Sequence, residues 1–117
     1  DFFWTQAASP TVFLIAAHTQ QGLAGFAGLS ISGKEAEILT IATHPSIRGR
    51  GAGRLLLESL LDTARSRGVE AVYLDVRSDN TAALGLYEAF GFAVLNTRPG
   101  YYTGADALVM RASLLGL

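Results

Sequence analysis

The stretch "HPSIRGRGAGRLLLESLL", residues 44–61, joins two hydrophobic periods across a run of glycines and arginines. Before it, "EAEILTIAT" (35–43) is short, apolar and rich in β-branched residues, as a strand requires. After it, Leu56, Leu57, Leu60, Leu61 and Ala64 recur at helical spacing, with Arg54, Glu58, Asp62 and Arg65 on the other side, and Leu55 to Leu57 with Leu60 and Leu61 are expected in the core. A strand, a glycine-rich turn and a helix, in that order, present backbone N–H groups at the positive end of a helix dipole. Glycine also lets a ligand approach the backbone closely. Of only nine Lys and Arg residues, three (Arg48, Arg50 and Arg54) stand in this stretch. The turn is therefore read as a cradle for an anion.

Working outward, "TVFLIAAH" (11–18) and "LAGFAGLSIS" (23–32) read as strands that join 35–43 in an antiparallel meander. "DFFWTQAAS" (1–9) is expected to be the end of an amphipathic helix, with Phe2, Phe3 and Trp4 seeking a core. Gly68 closes the helix that follows the cradle. "VEAVYLDVR" (69–77) alternates as a strand, with Val72, Leu74 and Val76 on one face and Tyr73, Asp75 and Arg77 on the other. A capping signal at Ser78–Asn80 opens a second helix ending near Gly91. "FAVLNTR" (92–98) and "DALVMRAS" (106–113) are two further strands around a "PGYYTG" turn (99–104). The order β-β-β-α-β-α-β-β over residues 1–117 describes a single α/β (α+β) domain built on one sheet.

Composition narrows the function classes. Half the residues are hydrophobic and 16% are charged, which suits a globular chain with a core of its own. A net charge of -1 argues against nucleic-acid binding. The chain has no cysteine, so it has neither a disulfide framework nor a thiolate metal site. His18 and His44 have no carboxylate at ligand spacing, and no metal site is expected. Ser46, Ser59 and Ser66 lack the context of a hydrolase nucleophile. The apolar run Val12–Ala17 is too short to span a bilayer, and nothing resembles a leader, so a cytoplasmic protein without membrane association is the expectation.

The phosphate motif can be specified further. GxxxxGK[ST] is absent, and GxGxxG fails because Arg54 takes the place of its last glycine. Arg48, Gly51 and Gly53 instead form R-x-x-G-x-G. Asn80 precedes Tyr87 by seven residues, nearly two helical turns, so Asn80, Ala83 or Leu84, and Tyr87 share one helix face. With "YExxGF" at 87–92 closing the block that begins at Glu37, these motifs resemble the GNAT family of N-acetyltransferases. The resemblance runs from Thr11 to about Ala112.

That resemblance implies a mixed, mostly antiparallel sheet with helices on its faces, and acetyl-CoA as acyl donor. It implies that Arg48, Gly49, Arg50, Gly51, Ala52, Gly53 and Arg54 hold the pyrophosphate. The pantetheine arm would pair as a pseudo-strand with Ile41, Ala42 and Thr43, and Asn80 and Ala83 would line it. A backbone N–H of that edge would face the developing oxyanion, and the Tyr87 phenol would protonate the leaving thiolate. It also implies that the family's opening strand and first helix are missing ahead of Asp1, with residues 1–9 corresponding to the end of the second helix.

"YLDVRSDNTAALGLYEAFGF" (73–92) followed by "TRPGYY" (97–102) is similar to the RimI-type enzymes, which acetylate the N-terminal alanine of a ribosomal protein. In that comparison Asp75 stands where a glutamate acts as general base. Tyr101 and Tyr102 border the peptide groove, so Asp75, Tyr101 and Tyr102 become candidates for acceptor binding. On the residues alone, Asp75 also fits a surface pair with Arg77, and the two tyrosines fit hairpin packing. An acetyltransferase for small-molecule amines shares all the cofactor logic. A non-catalytic acyl-CoA-binding module shares it too, though it has less need of Tyr87.

Overall fold

In a computed structural model, which describes residues 2–45 and 51–115, nine elements follow one another. They are β1 (Phe3–Ala8), β2 (Val12–Thr19), β3 (Gly22–Ser32), β4 (Glu35–Thr43), α1 (Ala52–Ser66), β5 (Ala71–Arg77), α2 (Thr81–Ala89), β6 (Ala93–Tyr102) and β7 (Ala105–Ser113). Their strands form one sheet in the order β1-β2-β3-β4-β5-β7-β6. Every neighbouring pair is antiparallel except β4–β5. The expected meander is β2–β3–β4, and both helices lie where the leucine stripe of the first and the capping signal of the second placed them.

Three local expectations are corrected. Residues 3–8 form an edge strand, not a helix end, which adds a strand to the expected order. Adjacent aromatics and Thr5 favour extended backbone, and the Ser9–Thr11 turn folds them onto β2. The Ser9 hydroxyl accepts from the N–H of Val12 at 3.1 Å, and the Ser9 N–H donates to the Val12 carbonyl at 2.8 Å. Phe3 and Trp4 consequently lie at the surface, 61% and 42% exposed, instead of in the core. The "PGYYTG" turn is shorter than expected, because β6 runs through Tyr102. Pro99 is tolerated there because β6 is a sheet edge and needs no ladder donor on its outer side. Leu55, which precedes the apolar stripe by one position, faces solvent.

The stripe itself makes the core. Leu56, Leu57 and Leu60 are fully buried and Leu61 nearly so, against β2, β3 and β4. Each such leucine contributes roughly 1.5–3 kcal/mol of apolar burial. Facing them are Phe13, Ile15, Ala27, Leu29 and Ile38 of the sheet. Gly25 permits the close approach: a Cβ there would stand 2.7 Å from the Ala42 carbonyl and 3.1 Å from Leu56 Cδ1. Gly68 (φ 78°) follows α1 and Gly91 (φ 88°) follows α2, both in the left-handed region that ends a helix. The packing of α1 on the meander thus sets where its N-terminus meets the end of β4.

Candidate active site

The parallel β4–β5 ladder is short, pairing only Glu35 with Ala71, Ala36 with Val72 and Glu37 with Tyr73. Just beyond it the β3–β4 register shifts between Gly28 and Leu29, leaving Leu39 as an extra residue on β4. A bulge bends its strand and increases its twist, so β4 turns away while β5 continues along β7 to Arg77. Two parallel strands that part in this way leave the last residues of β4 with an open hydrogen-bonding edge. That edge includes Ile41, Ala42 and Thr43.

A cleft of about 700 Å³ lies along this edge. Its walls are Ile41, Ala42 and Thr43 of β4, residues 51–54 at the start of α1, and Asn80, Ala83, Leu86 and Tyr87 at α2. Gly51 takes φ 82°, and the first intrahelical bond runs from the Leu55 N–H to the Gly51 carbonyl. The first turn of α1 has no side-chain cap and no acidic residue, so its N–H groups meet the cleft with no competing negative charge. A Cβ on Gly53 would lie 3.7 Å from Leu86 Cδ2 and 3.9 Å from Thr43 Cγ2, so larger side chains would grow between α1 and the opposite wall. Arg54 is already engaged on its flank: its Nε lies 3.5 Å from Glu58 Oε1, and its guanidinium stacks 4.8 Å over Phe90. Arg48, Gly49 and Arg50 lie outside the described residues.

At α2, Asn80 is the N-cap, its side-chain oxygen accepting from the Ala83 N–H at 3.1 Å. The cap uses the oxygen and leaves the carboxamide NH₂ for the cleft. Tyr87 is 9% exposed and its ring packs edge-on against Phe92 at 5.8 Å. Its hydroxyl has no hydrogen-bond partner among the described residues, yet no buried side-chain oxygen or nitrogen among them is orphaned. The hydroxyl therefore opens to the cleft. Burial of the ring and, secondarily, the neighbouring Tyr102 push the Tyr87 phenol above its ordinary pKa. It stays protonated at neutral pH, as a proton donor must.

A second cleft of about 310 Å³ lies on the β5 side, lined by Asp75, Arg77, Tyr102 and residues 38–41 of β4. The two clefts share four residues: Ile41, Asn80, Ala83 and Tyr87. Tyr87 stands at the junction, with the helix N-terminus on one side and the Asp75 carboxylate on the other. Asp75 does not pair with Arg77, whose bidentate partner is Asp79 at 3.0 and 3.1 Å. Tyr102 lines the cleft, whereas Tyr101 is largely exposed, set edge-on to Tyr102 at 5.1 Å with Arg98 over its ring at 5.5 Å. The sequence offers Arg77 only as a surface partner for Asp75, and it offers no sign of the Leu39 bulge. The Arg-x-Asp spacing at 77–79 carries a signal for the Asp79 pair; nothing local marks the bulge.

The open strand edge, the uncapped helix start and the amphipathic tyrosine suit a long anionic cofactor with a flexible polar arm. Residues 1–92 match the Acetyltransferase (GNAT) family. The chain is 46% identical over 115 residues to the Mycobacterium tuberculosis N-alpha-acetyltransferase RimI, covering 93% of this chain and 71% of that protein. It is 41% identical over 92 residues to the Salmonella typhimurium [ribosomal protein bS18]-alanine N-acetyltransferase, covering 75% and 62%. It spans 28% of a longer Mycobacterium leprae protein, with 47% identity over the matched part. The crystal structure of the Escherichia coli ribosomal-protein-S18-alanine N-acetyltransferase superposes with a TM-score of 0.86 at 32% identity, over 94% of this chain and 74% of that one. Sequence motifs, sheet topology and these likenesses agree, and the chain belongs to the acetyltransferase (GNAT) family.

Proposed function

We propose that this domain transfers an acetyl group from acetyl-CoA to the α-amino group of a protein N-terminus, with an N-terminal alanine of a ribosomal protein as acceptor. The observation that carries the reading is the meeting of two clefts at Tyr87, one bordered by a helix N-terminus and the other by the Asp75 carboxylate. The relatives named for alanine N-acetylation support the acceptor, and a ribosomal acceptor implies a cytoplasmic reaction.

In this reading the first turn of α1 holds the pyrophosphate, and Arg54 adds charge at its edge. Arg48 and Arg50, in the sequence just before the cradle, serve the same end. The open edge of β4 at Ile41–Thr43 pairs with the pantetheine arm, and the Asn80 NH₂ and Ala83 line it. Acetyl-CoA supplies an activated acetyl thioester. An α-amino group with a pKa near 8 is mostly protonated at neutral pH. Asp75, directly or through one water, takes its proton, and the free nitrogen attacks the carbonyl carbon. The Tyr87 hydroxyl gives its proton to the departing sulfur.

The test is thiol release from acetyl-CoA with Ala-, Ser- and Met-starting peptides beside polyamines and aminoglycosides. Preference for the alanine peptide is the expected result. Activity confined to polyamines or aminoglycosides would replace the acceptor assignment with a small-molecule amine. Binding of acetyl-CoA with no turnover on any amine would leave an acyl-CoA-binding module.

A further inference from the structure

Arg77, at the C-terminal end of β5, ties its own strand to the residues that open α2 and to the distant β6–β7 hairpin. Its Nε and Nη2 donate to both carboxylate oxygens of Asp79, at 3.0 and 3.1 Å. Its Nη1 and Nη2 lie 3.4 and 3.3 Å from the Thr103 carbonyl at the tip of the β6–β7 hairpin. The guanidinium also sits 5.4 Å from the centre of the Tyr102 ring. Asp79 directly precedes Asn80, the cap of α2 and a wall of both clefts. Tyr102 in turn meets Tyr101 edge-on, and Arg98 covers the outer ring, so Arg77, Tyr102, Tyr101 and Arg98 follow one another from the end of β5 out along β6.

A hairpin tip on a sheet edge needs such a fastening. Its own register breaks between Arg98 and Tyr102. Besides Arg77, the Gly100 N–H to Asp106 Oδ1 bond at 2.8 Å holds it. The planar fork of arginine can make the bidentate pair, reach a carbonyl and cover an aromatic face at once, which an ammonium cannot.

Resting on the acetyltransferase reading above, we propose that Arg77 is a positioning residue for the acceptor: it fixes Tyr102 beside Asp75 and so shapes the acceptor cleft without touching the acetyl donor. The donor cleft does not include Arg77 or Tyr102, whereas the acceptor cleft includes both. Loss of the fork should therefore separate the two Michaelis constants.

The experiment uses the best amine acceptor of the wild-type protein. Arg77→Ala is expected to raise the acceptor KM about tenfold while the acetyl-CoA KM changes less than about threefold. The unchanged acetyl-CoA KM also reports an intact fold. Arg77→Lys should fall near Arg77→Ala, because charge without the fork does not restore the geometry. The effects of Arg77→Ala and Tyr102→Ala on acceptor KM should be strongly non-additive. Rescue by lysine, additive effects, or equal changes in both KM values would overturn the proposal. Should Arg77→Ala fail to fold, Asp79→Asn must show the same split with a smaller factor, and a shift in acetyl-CoA KM alone would refute it. A wild-type protein that turns over no amine overturns the underlying reading; an active wild type without the split overturns this inference only.

Discussion

Tyr87→Phe removes one oxygen and leaves the ring. In this fold the ring belongs to the core, packed against Phe92, while the hydroxyl has no hydrogen-bond partner among the described residues. Stability should therefore hardly change: with no intramolecular bond to lose, the cost should stay below about 0.5 kcal/mol, under the ~1 kcal/mol of a typical hydrogen bond. Turnover should change a great deal. A general acid contributes about 10²–10⁴ in rate, so a hundredfold fall in kcat is the conservative expectation, equivalent to roughly 2.7 kcal/mol of barrier. Acetyl-CoA affinity should stay within about threefold, because the donor cleft owes its anion-binding groups to α1. Thiol release at saturating acetyl-CoA measures kcat, calorimetric titration measures donor affinity, and urea unfolding measures stability. A variant that keeps more than a third of wild-type kcat would refute the acid role. A variant that loses stability by more than ~1.5 kcal/mol would show that the hydroxyl is structural.

Further outcomes follow from other residues. Gly25→Ala places a Cβ 2.7 Å from the Ala42 carbonyl and should destabilise by about 1–3 kcal/mol, seen as a lower urea midpoint; a wild-type midpoint would contradict the close β3–β4–α1 approach. Asp75→Asn should move the acid limb of the pH–rate profile upward, since the amine must then lose its proton unaided; an unmoved limb would assign the base elsewhere. Asp79 is held below its ordinary pKa by its hydrogen bond to Arg77 and then by the guanidinium charge. Because its folded pKa is the lower one, the contribution of that pair is complete above the unfolded value near 3.9 and is lost as pH falls through the folded value. Amide exchange at residues 101–104 should accordingly match between pH 5 and 7, after correction for intrinsic rates, and loosening already at pH 5 would refute the Arg77–Asp79 tie.

Most of this architecture is legible in local pattern. The stripe Leu56–Leu57–Leu60–Leu61–Ala64, the alternation of Val72, Leu74 and Val76, and Gly68 and Gly91 past the helix ends are each set within a few residues, so periodicity and cap chemistry place them. Residues 3–8 escaped that logic. They are exposed throughout, and an edge strand with no buried face writes no alternation. The β6 hairpin escaped it for a related reason: Pro99 and Gly100 look like a turn, and only the position of β6 at the sheet edge lets a strand run through them.

For the candidate site the division is similar. Sequence by itself determined the chemistry on offer: a glycine-rich helix start, an asparagine cap, and a tyrosine seven residues on. These lie within single elements, where spacing along the chain maps onto spacing in space. Only the tertiary structure decided how they meet. The Leu39 bulge parts β4 from β5, Tyr87 falls where two clefts join, and Arg77 reaches the distant Thr103. Each of these depends on pairing between segments far apart in sequence, and no periodicity within one segment encodes the angle at which another meets it.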